Sequence, residues 1–489
     1  MKFLIGSDAA LAAKGQVAEV FWDTHRLVNG HTLLLGMSGA GKTHTLKRMI
    51  SALQKQSPNT RFHVFDVHGD ISIEGASEVL YSANTPYGLQ PLRVNPDLHY
   101  GGVLRCIENF TEIVGQTIGK LGARQEAVLR KILLDVYRLH GFVQEDPSTW
   151  FIDGEAHLIS DGSDNRLYLD VPRAEKDSAK AFGARWDPSK SLWWIQTDQY
   201  EGGITRWAPK RSGRTFPSID DVINYANRLI KMSFLGADQE AVTQLEIFNK
   251  AAMAMHRRMI REHREGQVGP SLVEEESEAL DKARAKAIDA YTTAVEKIRT
   301  GTEMEDLIKY DSQETLKSVL DRLETLRSYG IFKNQPPPFD PHARVWVHKL
   351  KPLKVAVANM FVLFSLQEMY DTARERGEQG EVLDILVLDE VHRYADNEEG
   401  ILCTLSRESR KFGVAIIAAN QDADLPPSFI SSLATKMVLG IDELYWRSAE
   451  TRMNIERRLL EWIKPQRTMA VQMKEIRATK SSWKWVVLQ

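Results

Sequence analysis

At 489 residues the chain can hold two or three domains, and with 43% hydrophobic and 26% charged residues it has the composition of an ordinary soluble globular protein. A formal net charge of −3 excludes a global basic signature, so any contact with nucleic acid must come from a local patch or a channel. Two cysteines far apart, Cys106 and Cys403, exclude a disulfide framework and a cysteine-based zinc site and fit a reducing, cytoplasmic setting.

The N-terminal stretch MKFLIGSDAALAAKG has a short apolar run broken by Ser7 and Asp8, too short for a signal peptide. Strands are then predicted at 32–36, 61–66, 344–350, 384–389, 413–419, 436–440 and 468–473. Their alternation with helical patterns points to an α/β core. From 220 to 330 the pattern is helical and highly charged. Leu280, Ala283, Ala287, Tyr291, Ala294 and Ile298 recur at helical spacing before Gly301, and Leu316, Val319, Leu323 and Leu326 before Gly330. The heptads are too short for a coiled coil, so a helical subdomain packed on the core is expected. The longest apolar run, 355–366, is too short to span a bilayer and reads as a buried helix; no membrane insertion is expected. Polar or proline-rich linkers are expected at 211–218, 266–271 and 334–341.

Gly36-Met37-Ser38-Gly39-Ala40-Gly41-Lys42-Thr43 fits the phosphate-loop pattern G-x-x-x-x-G-K-[ST], after an apolar strand and at the start of a helix. The glycines let backbone N–H groups curl around phosphate oxygens, and the helix N-terminus adds partial positive charge. Lys42 can then reach the β- and γ-phosphates, the Thr43 hydroxyl is placed for Mg2+, and His44 follows in the first helical turn. In DILVLDEVHRY a buried strand ends at Asp389, a candidate Mg2+ ligand through water, and Glu390, a candidate base for the attacking water. In LSRESRKFGVAIIAANQ, Arg407 and Arg410 stand three apart on a predicted helix, and Gln421 ends the following strand on the phosphate side. Gln421 can sense a γ-phosphate there. An arginine on that helix can serve a neighbouring subunit's nucleotide, or simply pair with Glu408 or Glu399.

With these motifs in view, the chain resembles the HerA/FtsK superfamily of P-loop ring motors, HerA-type ATPases above all, with type IV secretion and conjugation ATPases second. The resemblance is carried by the Asn-x-His lead-in in LVNGHTLLLGMSGAGKT, by VFDVHGD (64–70), by VLDEVHRYA, and by RESRKFGVAIIAANQDADLPPSFISSLATKMVLG. It covers roughly 1–150, 216–265 and 305–489. It implies a RecA-like core, ATP and Mg2+ as cofactors, a homohexamer, and DNA translocation for a partner nuclease or other effector in DNA processing or anti-phage defence. By the same resemblance Lys42 and Thr43 bind phosphate and metal, Asp389 and Glu390 supply metal ligation and the base, Gln421 is the sensor, Arg407 and Arg410 occupy the trans-arginine positions, and Asp66 and Asp70 sit by the nucleotide. Three features depart from the pattern. Asn420 and Asp422 flank Gln421 where the resemblance implies Thr or Ser and Arg, Asp70 stands for a usual Glu, and with the phosphate loop beginning at Gly36 the N-terminal β-barrel of HerA proteins is expected to be missing. A conjugation motor, or a ring-shaped scaffold that regulates an effector without translocating, remain the competing readings.

The segment LYLDVPRAEKDSAKAFGARWDPSKSLWWI interrupts the motor pattern and resembles a small domain of plasmid primases and other mobile-element proteins. It reads as strand, helix, turn and strand within an insertion at 160–212. Lys176, Lys180, Arg185, Lys190, Arg206, Lys210, Arg211 and Arg214 interleave with Trp186, Trp193, Trp194 and Trp207. That pattern suits stacking on exposed bases, protein docking, or simply the core of a very small domain. The expected organisation is a RecA-like core in two parts, 1–150 (with the start of the helical section) and 340–489, around the 160–212 insertion and a helical subdomain at 216–335.

Overall fold

The continuous apolar runs of the sequence become the centre of one large sheet. The computed structural model describes residues 1–150 except 17, 166–169, 175–188, 192–196, 215–235, 244–257 except 246 and 255, 270–296, and 312–488 except 396, with a few single positions between these segments. These residues fall into two units: Met1–Pro91 with Ile107–Ile132 and Ser218–Gln489, and Leu92–Cys106 with Leu133–Pro217. The Trp-rich segment lies in the second of these units.

In the first unit the strands are β1 (Lys2–Asp8), β2 (Glu19–Asp23), β3 (Thr32–Gly36), β4 (Arg61–Asp66), β5 (Ser77–Leu80), β9 (Val345–Lys349), β10 (Asp384–Leu388), β11 (Val414–Asn420), β12 (Thr435–Gly440), β13 (Thr468–Met473) and β14 (Trp483–Leu488). Among the described residues they form one sheet, ordered β2-β1-β14-β13-β12-β3-β11-β10-β4-β9-β5. From β12 through β5 every pairing is parallel. A parallel strand is covered on both faces, which is why β3 and β11 are buried along their whole length and read as unbroken apolar runs. From β12 through β2 every pairing is antiparallel.

Helices Lys42–Gln54 and Val355–Arg376 connect or flank these strands. The second contains the predicted 355–366 helix and buries Met360, Phe361, Val362 and Leu366 almost completely. Each such side chain contributes roughly 1.5–3 kcal/mol through burial. Helix Gln313–Ser328 buries the expected Leu316, Val319, Leu323 and Leu326, is N-capped by Ser312, and gives way at Gly330, whose φ is +68°. It packs against Ile219–Leu235. Helix Pro270–Glu296 is present, while the expected stop at Gly301 lies outside the described residues. Among the described residues no helix is long and apolar enough to cross a membrane.

The Asn-x-His lead-in proves to be a brace under the sheet. Asn29 Oδ1 accepts from His31 N (3.0 Å) and Ala434 N (3.2 Å), Asn29 Nδ2 donates to Ser432 O (2.8 Å), and His31 Nδ1 accepts from Ile416 N (3.1 Å). These bonds tie the start of β3 to both of its neighbours.

In the second unit, β6 (Arg166–Leu169), β8 (Leu192–Gln196) and β7 (Arg185–Asp187) make an antiparallel sheet in that order, with helix Lys176–Ala181 between β6 and β7. The extra strand β7 is absent from the sequence-based pattern. Leu169, Ala179, Ala184, Ile195, Ile204 and Trp207 form its core, and the Trp207 indole donates to Glu175 (2.7 Å). Trp186 stays about half exposed, edge-on to Trp193. Lys190, Arg206, Lys210, Arg211 and Arg214 lie outside the described residues.

Candidate nucleotide site

β3, β10 and β11 are parallel and end at the same edge of the sheet, at Gly36, Leu388 and Asn420. Ligands of open α/β sheets bind at this edge. The phosphate loop leaves β3 there. Gly39 (φ +79°) and Gly41 (φ +100°) take conformations that side-chain-bearing residues rarely adopt, so glycine at both positions is a steric requirement. The loop closes with Ala40 N donating to Met37 O (3.1 Å), and Lys42 starts the helix with Nζ donating to Gly36 O (2.7 Å). Ser38 and His44 are exposed at this edge, and Thr43 is half-buried in the first helical turn.

Asp389 and Glu390 follow β10 and are both buried. Glu390 is one of three described non-glycine residues with positive φ (51°, ψ 51°), a conformation that costs roughly 1–3 kcal/mol and persists where its surroundings enforce it. Its carboxylate accepts from Gln421 Nε2 at 3.0 and 3.2 Å, and two imidazoles stand beside it, His392 Nδ1 at 3.5 Å and His68 Nε2 at 4.0 Å. His392 is in turn bonded to Asn420 Oδ1 through Nδ1 (2.8 Å) and its backbone N–H (3.2 Å), and Asn420 Nδ2 donates to Asp422 O.

Burial, and next the Glu390 charge, push the Asp389 carboxyl above its ordinary range; the Glu390 N–H, His68 and Lys42 act the other way. A cation would relieve both leading effects. Thr43 and Asp389 are hard oxygen donors of the kind Mg2+ takes, so the residues fit that ion. Ligand atoms of His68, Asp389 and Glu390 also lie within 4.8 Å of one another.

Asp66, expected beside the nucleotide, is held within its own turn. Its oxygens accept from Gly69 N (2.7 Å) and Ile71 N (3.1 Å) and form an ion pair with Lys349 (3.1 Å). Asp66 thereby shapes the turn that carries His68, while the Asp70 carbonyl accepts from Lys47.

Arg410 is not brought to this site within its own chain. Arg407 ends the helix Ile401–Glu408, whereas Arg410 sits in a separate 3-10 turn, Ser409–Phe412, so the two do not share one α-helical face. Arg410 precedes β11 and lines a polar cleft of about 630 Å³ with Asn29, Ser57 and Glu381. That places it a whole strand length, about 20 Å, from the edge that carries Gln421. Glu408 accepts from the Tyr370 hydroxyl (2.6 Å). His68, His392 and Gln466 belong to the site's surroundings without having been singled out in the sequence, and Asn420 was marked there only as a departure from a motif. The spacing of VFDVHGD and DEVHRY is the signal that could have found the two histidines.

A strand, a glycine-rich loop wrapped at a helix N-terminus, and a carboxylate pair at the end of a parallel strand one removed from it define a P-loop nucleoside triphosphatase. Residues 10–170 match the family described as Helicase HerA, central domain, and residues 166–209 match a domain of unknown function, DUF5710. The fold is similar over the whole chain to VirB4 of Thermoanaerobacter pseudethanolicus, at 13% identity, 96% coverage of that chain and a TM-score of 0.54. The bacterial conjugative coupling protein TrwB gives 11% identity, 93% coverage of that chain and a TM-score of 0.45. The uncharacterized protein aq_aa31 of Aquifex aeolicus is 36% identical over 52 residues, a match that spans 19% of that relative's length. Residues 10–170 are thus similar to the HerA central domain, and the whole chain shares the fold of VirB4.

Proposed function

We propose that the chain is the subunit of a homohexameric, ATP-driven motor that translocates double-stranded DNA on behalf of a partner nuclease or other effector, in DNA processing or anti-phage defence. The observation that supports it best is the complete hydrolytic set at one sheet edge: the loop Gly36–Thr43, the Asp389–Glu390 pair, and Gln421 bonded to Glu390.

In this reading the backbone N–H groups of Ser38–Thr43 and Lys42 Nζ hold the ATP phosphates, and the half-folded lysine exchanges the Gly36 carbonyl for phosphate oxygen. Thr43 and Asp389 would hold Mg2+, which would supply neutralising charge beside the phosphates. Glu390 accepts the proton of the attacking water, and Gln421 fixes the angle of its carboxylate. Arg407 or Arg410 serves the nucleotide of the adjacent subunit. The 160–212 insertion is an accessory adaptor.

Phosphate release from ATP with and without linear duplex DNA tests the motor. Stimulation by DNA that disappears in Lys42→Ala supports translocation. A protein that hydrolyses ATP but neither binds nor responds to duplex DNA is a scaffold, and the translocase reading then fails.

A further inference from the structure

Gln466 lies in an exposed turn between helix Arg457–Trp462 and β13, far in sequence from every motif above. Its φ is +64°, rare for a residue with a side chain. The turn is held from both sides: Arg467 N and Thr468 N donate to Lys464 O (3.0 Å each), and Lys464 N donates to Thr468 Oγ1 (2.7 Å). From this position Gln466 Nε2 donates to Gly39 O at 2.8 Å. A Cβ at Gly41 would stand 3.6 Å from Gln466 Cγ, so the side chain lies along the outer wall of the loop.

The Gly39–Ala40 peptide is thereby pinned at both ends. Its N–H is on Met37 O and its carbonyl is on Gln466. Glycine at 39 leaves that peptide free to rotate unless something outside the loop restrains it. A loop fixed in advance loses less entropy when it closes on phosphates. A left-handed glutamine retained in an exposed turn, where glycine or asparagine would be unstrained, marks a side chain kept for a contact.

We propose that the Lys464–Thr468 turn forms the outer wall of the nucleotide site and that Gln466 is a positioning residue, raising affinity for Mg2+·ATP by fixing the Gly39–Ala40 peptide. The inference rests on the reading of Gly36–Thr43 as the nucleotide site.

Two variants separate the contact from the strain. Gln466→Ala removes the amide and keeps the strained φ; Gln466→Gly removes both. Equilibrium binding of a fluorescent ATP analogue with Mg2+ is measured for each, together with thermal melting without nucleotide. Both variants are expected to bind about fivefold more weakly, the size of one neutral hydrogen bond. Gln466→Gly should melt above Gln466→Ala, because glycine tolerates this φ. Affinity unchanged in both variants, or restored in the more stable glycine variant, overturns the proposal. If the wild type itself binds no ATP, the nucleotide-site reading falls and takes this inference with it. Binding by the wild type with unchanged variants sinks this inference alone.

Discussion

His392 Nδ1 lies 2.8 Å from Asn420 Oδ1, and the same oxygen accepts the His392 backbone N–H at 3.2 Å. The turn behind Glu390 is thus tied to the end of β11, just before Gln421, and both meet again at the Glu390 carboxylate. The Asn420 amide reaches both the His392 ring and its backbone N–H, and so closes the network.

Groups that act as one network give non-additive losses. Asn420→Ala and His392→Ala should each lower the turnover of ATP, and the double variant should be little worse than the poorer single one. The expected coupling is about 1 kcal/mol. Steady-state phosphate release on the four proteins measures it, and strictly additive losses would show that the two residues act independently.

Asp66 is expected to report on folding. Removing one member of a buried, hydrogen-bonded ion pair costs about 3 kcal/mol or more, because the partner is left without its countercharge. Asp66→Ala takes the nearer carboxylate from Lys349, which keeps Glu78 at 3.6 Å and the Ile71 carbonyl at 2.7 Å. Urea unfolding should show that loss. Undiminished stability with weakened ATP binding would instead place Asp66 at the nucleotide.

Burial, and to a smaller extent the Arg410 charge, lower the His31 pKa from 6.5 to about 4. Between those values the unfolded chain binds a proton that the folded chain refuses. Stability from this group is therefore full above pH 6.5 and falls as the pH drops through 4, by about 3 kcal/mol in all. Unfolding free energies measured from pH 8 down to pH 4.5 should show a steeper acid loss for the wild type than for His31→Gln. Equal slopes would remove His31 from the account of acid sensitivity.

Arg410 is remote from its own chain's Glu390, so any catalytic use of it requires a neighbour. Arg410→Ala and Glu390→Gln subunits are each expected to be inactive alone. Mixed, they should regain part of the activity, because some sites then pair an intact arginine with an intact base. No regain would confine Arg410 to its own chain, where its charge is felt by His31.

The parallel half of the sheet and most of its site were legible in the sequence for one reason. Strands buried on both faces must be continuous apolar runs, and the phosphate loop and the Asp389–Glu390 pair sit at their ends, at fixed offsets. β1, β2, β5 and β14 were not legible. They lie in the antiparallel half or at the sheet edge and mix exposed with buried positions, as in Trp483–Leu488. The supporting residues were hidden for another reason. Gln466 is 427 residues from its partner Gly39, and Asn420 reads as a departure from a motif until His392 is seen beside it.

Hydrolysis at Glu390 is the most direct measurement. Wild type, Lys42→Ala and Glu390→Gln are compared for Mg2+·ATP binding and for phosphate release on the same preparations. Glu390→Gln is expected to bind ATP as the wild type does and to release phosphate at least about 10²-fold more slowly, the usual loss on removing a general base. Lys42→Ala should lose binding as well. Phosphate release at the wild-type rate from Glu390→Gln, or a wild type that neither binds nor hydrolyses ATP, would contradict the assignment of this sheet edge as the hydrolytic site.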